Sequence, residues 1–198
     1  MIPNGEARPA VVVIGASGGI GRAIAKVVGR ERGTVVLVGR SPEGLAAAAF
    51  EVRKAGGEAF TLELDVLADD VSTRLEDFLS THGLICDVLV NSAGYGLRGA
   101  ATALPIDDQL GIIDLNIRAL SELTLRFLPG MVARGRGGVI NLSSVAGFRS
   151  RALHGIVLRQ QRVRALLLRG TSPGIAPHRC DRYMRRTRAS VDRVSRQV

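Results

Sequence analysis

Short apolar runs alternate along most of the chain with longer stretches that place an apolar residue every three or four positions. Residues 10–14 form an unbroken run rich in β-branched side chains and predict a first strand. Gly19–Arg30 follows, with Ile20, Ala23, Ile24 and Val27 at helical spacing. Residues 34–38 predict a second strand, ending at Gly39-Arg40. Ser41-Pro42-Glu43 supplies an N-cap, a first-turn proline and an acid, so a helix opens there, runs through Ala55 and stops at Gly56-Gly57. Residues 58–64 alternate as a third strand that delivers Asp65-Val66, and a helix is expected over about 69–81. Residues 87–90 predict a fourth strand delivering Asn91. One long helical pattern covers 105–128 and ends before Pro129-Gly130. Residues 139–142 read as a fifth strand delivering Ser143-Ser144.

Strands that alternate with helices imply an α/β protein with a parallel, doubly wound sheet in three α/β/α layers. In such sheets ligand groups gather at the carboxyl ends of the strands. The composition agrees: 46% of the 198 residues are hydrophobic, and the mean hydropathy is +0.18, as central strands buried on both faces require. No apolar run reaches the roughly 18–20 residues of a membrane span, so no membrane is expected. The first residues lack a basic stretch followed by an apolar one, and Cys86 and Cys180 are too few for a disulfide framework. A cytoplasmic protein is expected.

The sharpest motif is Val11-Val12-Val13-Ile14-Gly15-Ala16-Ser17-Gly18-Gly19-Ile20-Gly21, a strand that breaks into a Gly-rich turn and restarts as a helix. Gly15 allows the bend, Gly19 lets a ligand approach the backbone, and Gly21 lets the helix pack closely on the strand. The free N–H groups and positive dipole end of that helix suit a pyrophosphate. Position 39, where a preference for NAD would place an acid for the ribose 2′-hydroxyl, is Gly39, and Arg40 follows with a guanidinium suited to a 2′-phosphate. NADP is therefore expected in preference to NAD.

The G-x-x-x-G-x-G spacing, followed by Asn91-Ser92-Ala93-Gly94, resembles the short-chain dehydrogenase/reductase family in its classical form. The resemblance implies a Rossmann-type fold and hydride transfer between NADP(H) and a small-molecule carbonyl or secondary alcohol. It implies cofactor contacts from Gly15, Ser17, Gly19, Ile20 and Gly21, adenine contacts from Asp65 and Val66, and a cofactor-lining turn at Asn91, Ala93 and Gly94. Asn116 matches the family's relay Asn, which holds a water. Ser144 matches the Ser that hydrogen-bonds the substrate oxygen. Homo-oligomers through the long fourth helix are usual in the family, and no metal is called for.

The family chemistry also needs Tyr-x-x-x-Lys, in which Lys⁺ lowers the pKa of a Tyr that acts as general acid and base. The Tyr belongs thirteen positions after Ser144, where this chain has Val157, and the Lys position holds Gln161. No Tyr-x-x-x-Lys occurs anywhere in the sequence. Charge breaks at the same place. Residues 1–148 carry 14 Lys and Arg against 16 Asp and Glu, a balance of −2, whereas residues 149–198 carry 13 Arg, no Lys and 2 Asp, a balance of +11.

One expectation accounts for both changes: residues 1–148 are an NAD(P)-binding domain, and residues 149–198 are a basic tail translated out of frame and poorly ordered. Residues 157–162 written as GTA CTC CGC CAG CAA AGG and read one base later give Tyr-Ser-Ala-Ser-Lys. With suitable codons the same shift can turn residues 166–188 into a helix–turn–strand pattern ending in Pro-Gly. The carboxy-terminal strands of the sheet are then incomplete and catalysis is impaired. The alternative is a non-catalytic NADP(H) sensor whose Arg-rich tail contacts nucleic acid or another anionic partner. The tail's single aromatic, Tyr183, and its lack of Lys argue against nucleic acid.

Overall fold

The computed structural model describes residues 7–142, and Ser144, Val157, Gln161 and the 149–198 tail lie outside the described residues. Five strands form one parallel sheet: β1 (Arg8–Ile14), β2 (Thr34–Gly39), β3 (Glu58–Glu63), β4 (Leu84–Asn91) and β5 (Gly138–Asn141). Their spatial order is β3-β2-β1-β4-β5. The chain thus starts mid-sheet, steps outward to β3, then crosses back to lay β4 beside β1. That reversal opens a crevice at the carboxyl ends of β1 and β4, the ligand position of doubly wound sheets.

The period of two in β1 divides its apolar side chains between two cores. Val11 and Val13 pack with Ile24, Ala25 and Val28 of α1 (Gly19–Arg30) and with Leu45, Ala48 and Val52 of α2 (Pro42–Lys54). Val12 and Ile14 pack on the other face, with Leu75 and Leu79 of α3 (Val71–Thr81) and Leu120, Leu123 and Met131 of α5 (Leu120–Ala133). The N-cap reading at Ser41 holds, since its hydroxyl accepts the Gly44 N–H at 3.1 Å.

Several element boundaries differ from the sequence expectation, β1 for instance beginning at Arg8 rather than at residue 10, and three of the differences concern β4, the long helix and α3. β4 starts at Leu84 rather than at residue 87, because Asp87 is the extra residue of a β-bulge: Cys86 pairs with Ala10 and Val88 with Val11. The bulge switches parity, so Leu84, Cys86 and Leu89 share one core while Val88 and Val90 share the other. Arg134 Nη2 donates to the Cys86 carbonyl at 2.9 Å and Arg136 Nε lies 3.5 Å from Asp87 Oδ1, tying the end of α5 to the bulge. Burial among apolar neighbours pushes the Cys86 thiol far above its ordinary pKa, so it serves as a packing group.

The second difference is that the long helix does not stop at residue 128. It consists of α4 (Ile106–Ile113), a π-helical segment (Asp114–Ala119) and α5, which runs through Pro129 to Ala133. The proline ring sits on the exposed face near Leu125, itself 69% exposed, while Met131, two residues on and on the opposite side of the helix, is fully buried. Burying that side chain is worth about 1.5–3 kcal/mol, enough to offset much of the roughly 3 kcal/mol a helix-interior proline costs. The third is α3, which begins at Val71 rather than at residue 69.

At the opposite edge, Arg8 of β1 reaches across β2 to Glu58 of β3, Nη1 to Oε2 at 2.8 Å, and Thr34 Oγ1 donates to the same oxygen at 3.0 Å. The Arg8 hydrogen bond is the largest cause holding the Glu58 carboxyl below its ordinary 4.5, and Thr34 adds to it. A depressed folded-state value adds stability above the unfolded pKa, and that stability is lost as pH falls through the folded value. Acid titration of the urea midpoint should show a loss beginning below about pH 4.5 that Arg8→Ala diminishes. Pro129→Ala should restore one backbone hydrogen bond and raise stability by roughly 1–2 kcal/mol in urea unfolding. A variant less stable than the parent would contradict this account of the helix.

Candidate functional site

The Gly-rich turn joins three strand ends. Gly15 adopts φ +80°, and its N–H and that of Ala16 both donate to the Val38 carbonyl of β2, at 2.9 and 3.0 Å. A Cβ on Gly15 would stand 2.6 Å from the Ala93 nitrogen, beyond the end of β4. A Cβ on Gly21 would strike the Gly15 carbonyl and lie 3.1 Å from Ser92 Oγ. Ser92 N–H donates to the Ile14 carbonyl at 2.9 Å. The outer two glycines therefore let turn, helix and the β4 loop touch backbone to backbone.

The inner two differ. A Cβ on Gly18 or Gly19 would meet nothing within 4 Å. Gly18 is the N-cap of α1 and offers no side-chain cap, and the first turn carries no acid. Among the described residues, the N–H groups of that turn and the positive end of the helix dipole thus have open space before them and no side-chain anion in the turn. Ile20 borders this space at 37% exposure. Ser17 packs on the start of α2, where a Cβ on Gly44 would lie 2.8 Å from Ser17 Cβ.

Gly39 closes β2 beside Ser17. A Cβ there would make ordinary contacts, 3.4 Å to Ser17 Oγ and 3.5 Å to Leu45 Cδ2, so the position tolerates a Cβ. Arg40 is exposed and forms no ion pair among the described residues. Beyond β3, Asp65 Oδ1 accepts the Leu67 N–H at 3.0 Å, capping the turn, and Val66 is buried.

Asn91 ends β4 fully buried. Its Nδ2 lies 2.6 Å from Asn141 Oδ1 on β5 and 3.0 Å from Thr124 Oγ1 on α5. The Thr124 hydroxyl in turn donates to the Leu120 carbonyl at 2.7 Å. Asn91 thereby fixes the end of β4 to its neighbours. Ala93 packs against the α3/α5 core, and Gly94 opens the exposed loop that follows.

Asn116 sits in the π-helical segment, buried and only 2% exposed. Its Oδ1 accepts the Tyr95 N–H at 3.2 Å and its Nδ2 donates to the Tyr95 carbonyl at 2.8 Å. An amide that mimics a strand partner explains why a poor helix former occupies a helix interior, and π-helical turns of this kind recur at functional sites. The structure therefore brings together the residue 15–21 turn, Gly39-Arg40, Asp65, Asn91, Ala93, Gly94 and Asn116 along the carboxyl edge of the sheet. Sequence reasoning missed Gln109 and Thr124. The available signal was a polar residue at a buried helical position: Gln109, Ile112, Asn116 and Leu120 recur on one buried side.

Residues 9–156 match the family profile described as short chain dehydrogenase. The chain belongs to that family. It is 34% identical over 195 residues to a ketoacyl reductase, HetN, of Nostoc sp., a match covering 93% of this chain and 67% of that protein. It is 34% identical to a very-long-chain 3-oxoacyl-CoA reductase of Coprinopsis cinerea, covering 69% of this chain and 41% of that one. Among solved structures, a short-chain dehydrogenase from Sphingobium yanoikuyae in complex with NADPH superposes with a TM-score of 0.77 at 28% identity, over 85% of this chain and 66% of that one. A metagenomic short-chain oxidoreductase in complex with NADP gives 0.76 at 34% identity, over 85% and 77%. The chain spans between 41% and 67% of the length of the two curated relatives.

The two glycine pairs of the family turn should separate in a stability measurement. Gly21→Ala and Gly15→Ala force backbone apart and should each cost about 3 kcal/mol or more in urea unfolding. Gly18→Ala meets open space at an extended φ of −165° and should stay within about 0.5 kcal/mol. Equal losses at Gly18 and Gly21 would contradict the assignment of inner and outer roles.

Proposed function

We propose that the chain binds NADP(H) at the Gly-rich turn and that its fold is arranged for hydride transfer between this cofactor and a small carbonyl compound or secondary alcohol. The observation that carries the reading is the open, uncapped helix end at Gly18-Gly19, set at the crevice where the strand order reverses. When bound, NADP(H) supplies the hydride. The chain's own residues hold it: the α1 N–H groups take the pyrophosphate, Arg40 the 2′-phosphate, and Asp65 the adenine amino group, with Val66 beside it. Asn91, Ala93 and Gly94 line the same edge. NADP-bound relatives in the same fold support the choice of cofactor.

Asn116 is proposed to serve the relay as the family's Asn does, while its Oδ1 and Nδ2 each bond the Tyr95 backbone and hold that residue in place. Ser144 is proposed to polarise the substrate oxygen. No Tyr-x-x-x-Lys supplies the proton, so turnover should be slight. The tail is proposed to be read out of frame. Its charge break and lost motif support this, while the Nostoc match over 93% of the chain weighs against it, and the coding DNA decides. The absent proton donor equally favours a second reading, a non-catalytic NADP(H) sensor. In that case removing residues 149–198 should abolish a partner contact while leaving cofactor affinity intact. The exposed apolar residues Ile106, Leu110, Leu125 and Val132 on α4 and α5 support self-association through that face, which sedimentation at several concentrations would test.

Titration with NADPH and NADH should show tighter binding of NADPH. Gly39→Asp places a carboxylate at a position that tolerates a Cβ, and should lower the NADPH-to-NADH affinity ratio at least roughly tenfold, about 1.4 kcal/mol. A chain that binds neither dinucleotide overturns the proposal. Carbonyl reduction at rates typical of enzymes, about 1–10³ s⁻¹, would overturn the claim of impairment.

A further inference from the structure

The loop leading from β4 into α4 is tied to successive turns of the helix that follows it. At its start, Asn116 pairs with both backbone groups of Tyr95. From the same residue, the Tyr95 hydroxyl donates to the Asp108 carbonyl at 3.3 Å, lying over Gly111, where a Cβ would stand 2.7 Å from that oxygen. At its far end, Gln109 sends Nε2 to the carbonyls of Ala101 and Leu104, both at 2.9 Å. Gln109 is 8% exposed, so its carboxamide is placed among neighbours where an unmade hydrogen bond is costly. Both donors of that nitrogen go to one loop. The loop leaves the sheet beside the Gly15 turn, where a Cβ on Gly15 would touch Ala93.

We propose that Gln109 is a positioning residue: it holds residues 96–105 as a preformed wall of the cofactor crevice, shaped before any ligand arrives. The function of the wall rests on the NADP(H) reading above, whereas the lock itself stands on hydrogen bonds alone. Its two bonds together restrain a segment that otherwise keeps its backbone freedom. Gly111 completes the lock, because any larger residue there lifts the Tyr95 phenol away from α4.

The loop contains one tryptic site, Arg98, which is exposed. The exposed Arg32, at the end of α1, serves as an internal reference on the same molecule. Limited trypsin digestion of the full chain, with fragments assigned by mass spectrometry, reads both sites together. Gln109→Glu keeps the side-chain shape and removes both donors. Cleavage after Arg98 relative to Arg32 should rise at least tenfold, with the thermal midpoint little changed. Equal acceleration at both sites, or none at either, overturns the proposal. Should Gln109→Glu fail to fold, Gln109→Met removes the same two donors without adding a charge; it should raise the same ratio, and an unchanged ratio overturns the proposal. NADPH titration of the unsubstituted chain separates the two readings. A selective cut without NADPH binding removes the cofactor reading alone, and NADPH binding without a selective cut removes the loop lock alone.

Discussion

Backbone touching backbone at the carboxyl ends of β1 and β4 is the constraint on which the rest of this structure depends. Gly15 meets Ala93 and Gly21 meets the Gly15 carbonyl at separations that admit no side chain. Because these contacts bring the first turn, the second strand and the loop after the fourth strand to one point, the crevice has a floor made of main chain. The same closeness leaves Gly18 and Gly19 facing outward with the helix end behind them. Packing at the outer glycines and openness at the inner ones are thus two consequences of one geometry.

The second organising feature is the long helical stretch from Ile106 to Ala133, on which three polar residues, Gln109, Asn116 and Thr124, are buried among the apolar ones. Asn116, Gln109 and Thr124 each hold backbone or a buried side chain of the strand-four region. The π-helical insertion lets Asn116 reach Tyr95 without breaking the helix, and Met131 anchors the stretch beyond Pro129. At the other end of the sheet, the bulge at Asp87 keeps β4 apolar toward both cores, and Arg134 and Arg136 secure it. Polar groups inside this domain serve mainly to fix loops and strand ends to the helical layer.

Much of this was legible before any coordinates. The bounds of α1 and the cap of α2 follow from glycine, serine and proline chemistry, which acts within a few residues. Asn116 was identified as a site residue by its motif, but its partnership with Tyr95 was not, because the two lie 21 positions apart in sequence. Position 128 looked like a helix end because local rules for proline know nothing of the buried Met131. The start of β4 looked late because a bulge at Asp87 is invisible to a pattern that assumes strict alternation.

The sequence by itself determined the alternation of strands and helices, the family turn at residues 15–21, the missing acid at Gly39 and the missing Tyr-x-x-x-Lys. All of these are local in the chain and so are written in short spans of residues. Only the tertiary structure decided which glycines touch and which stay open, how Asn91 and Asn116 use their amides, and that Gln109 braces the β4–α4 loop. Those outcomes depend on distances between segments far apart in sequence, and such distances arise only when the sheet and its helices close around two shared cores.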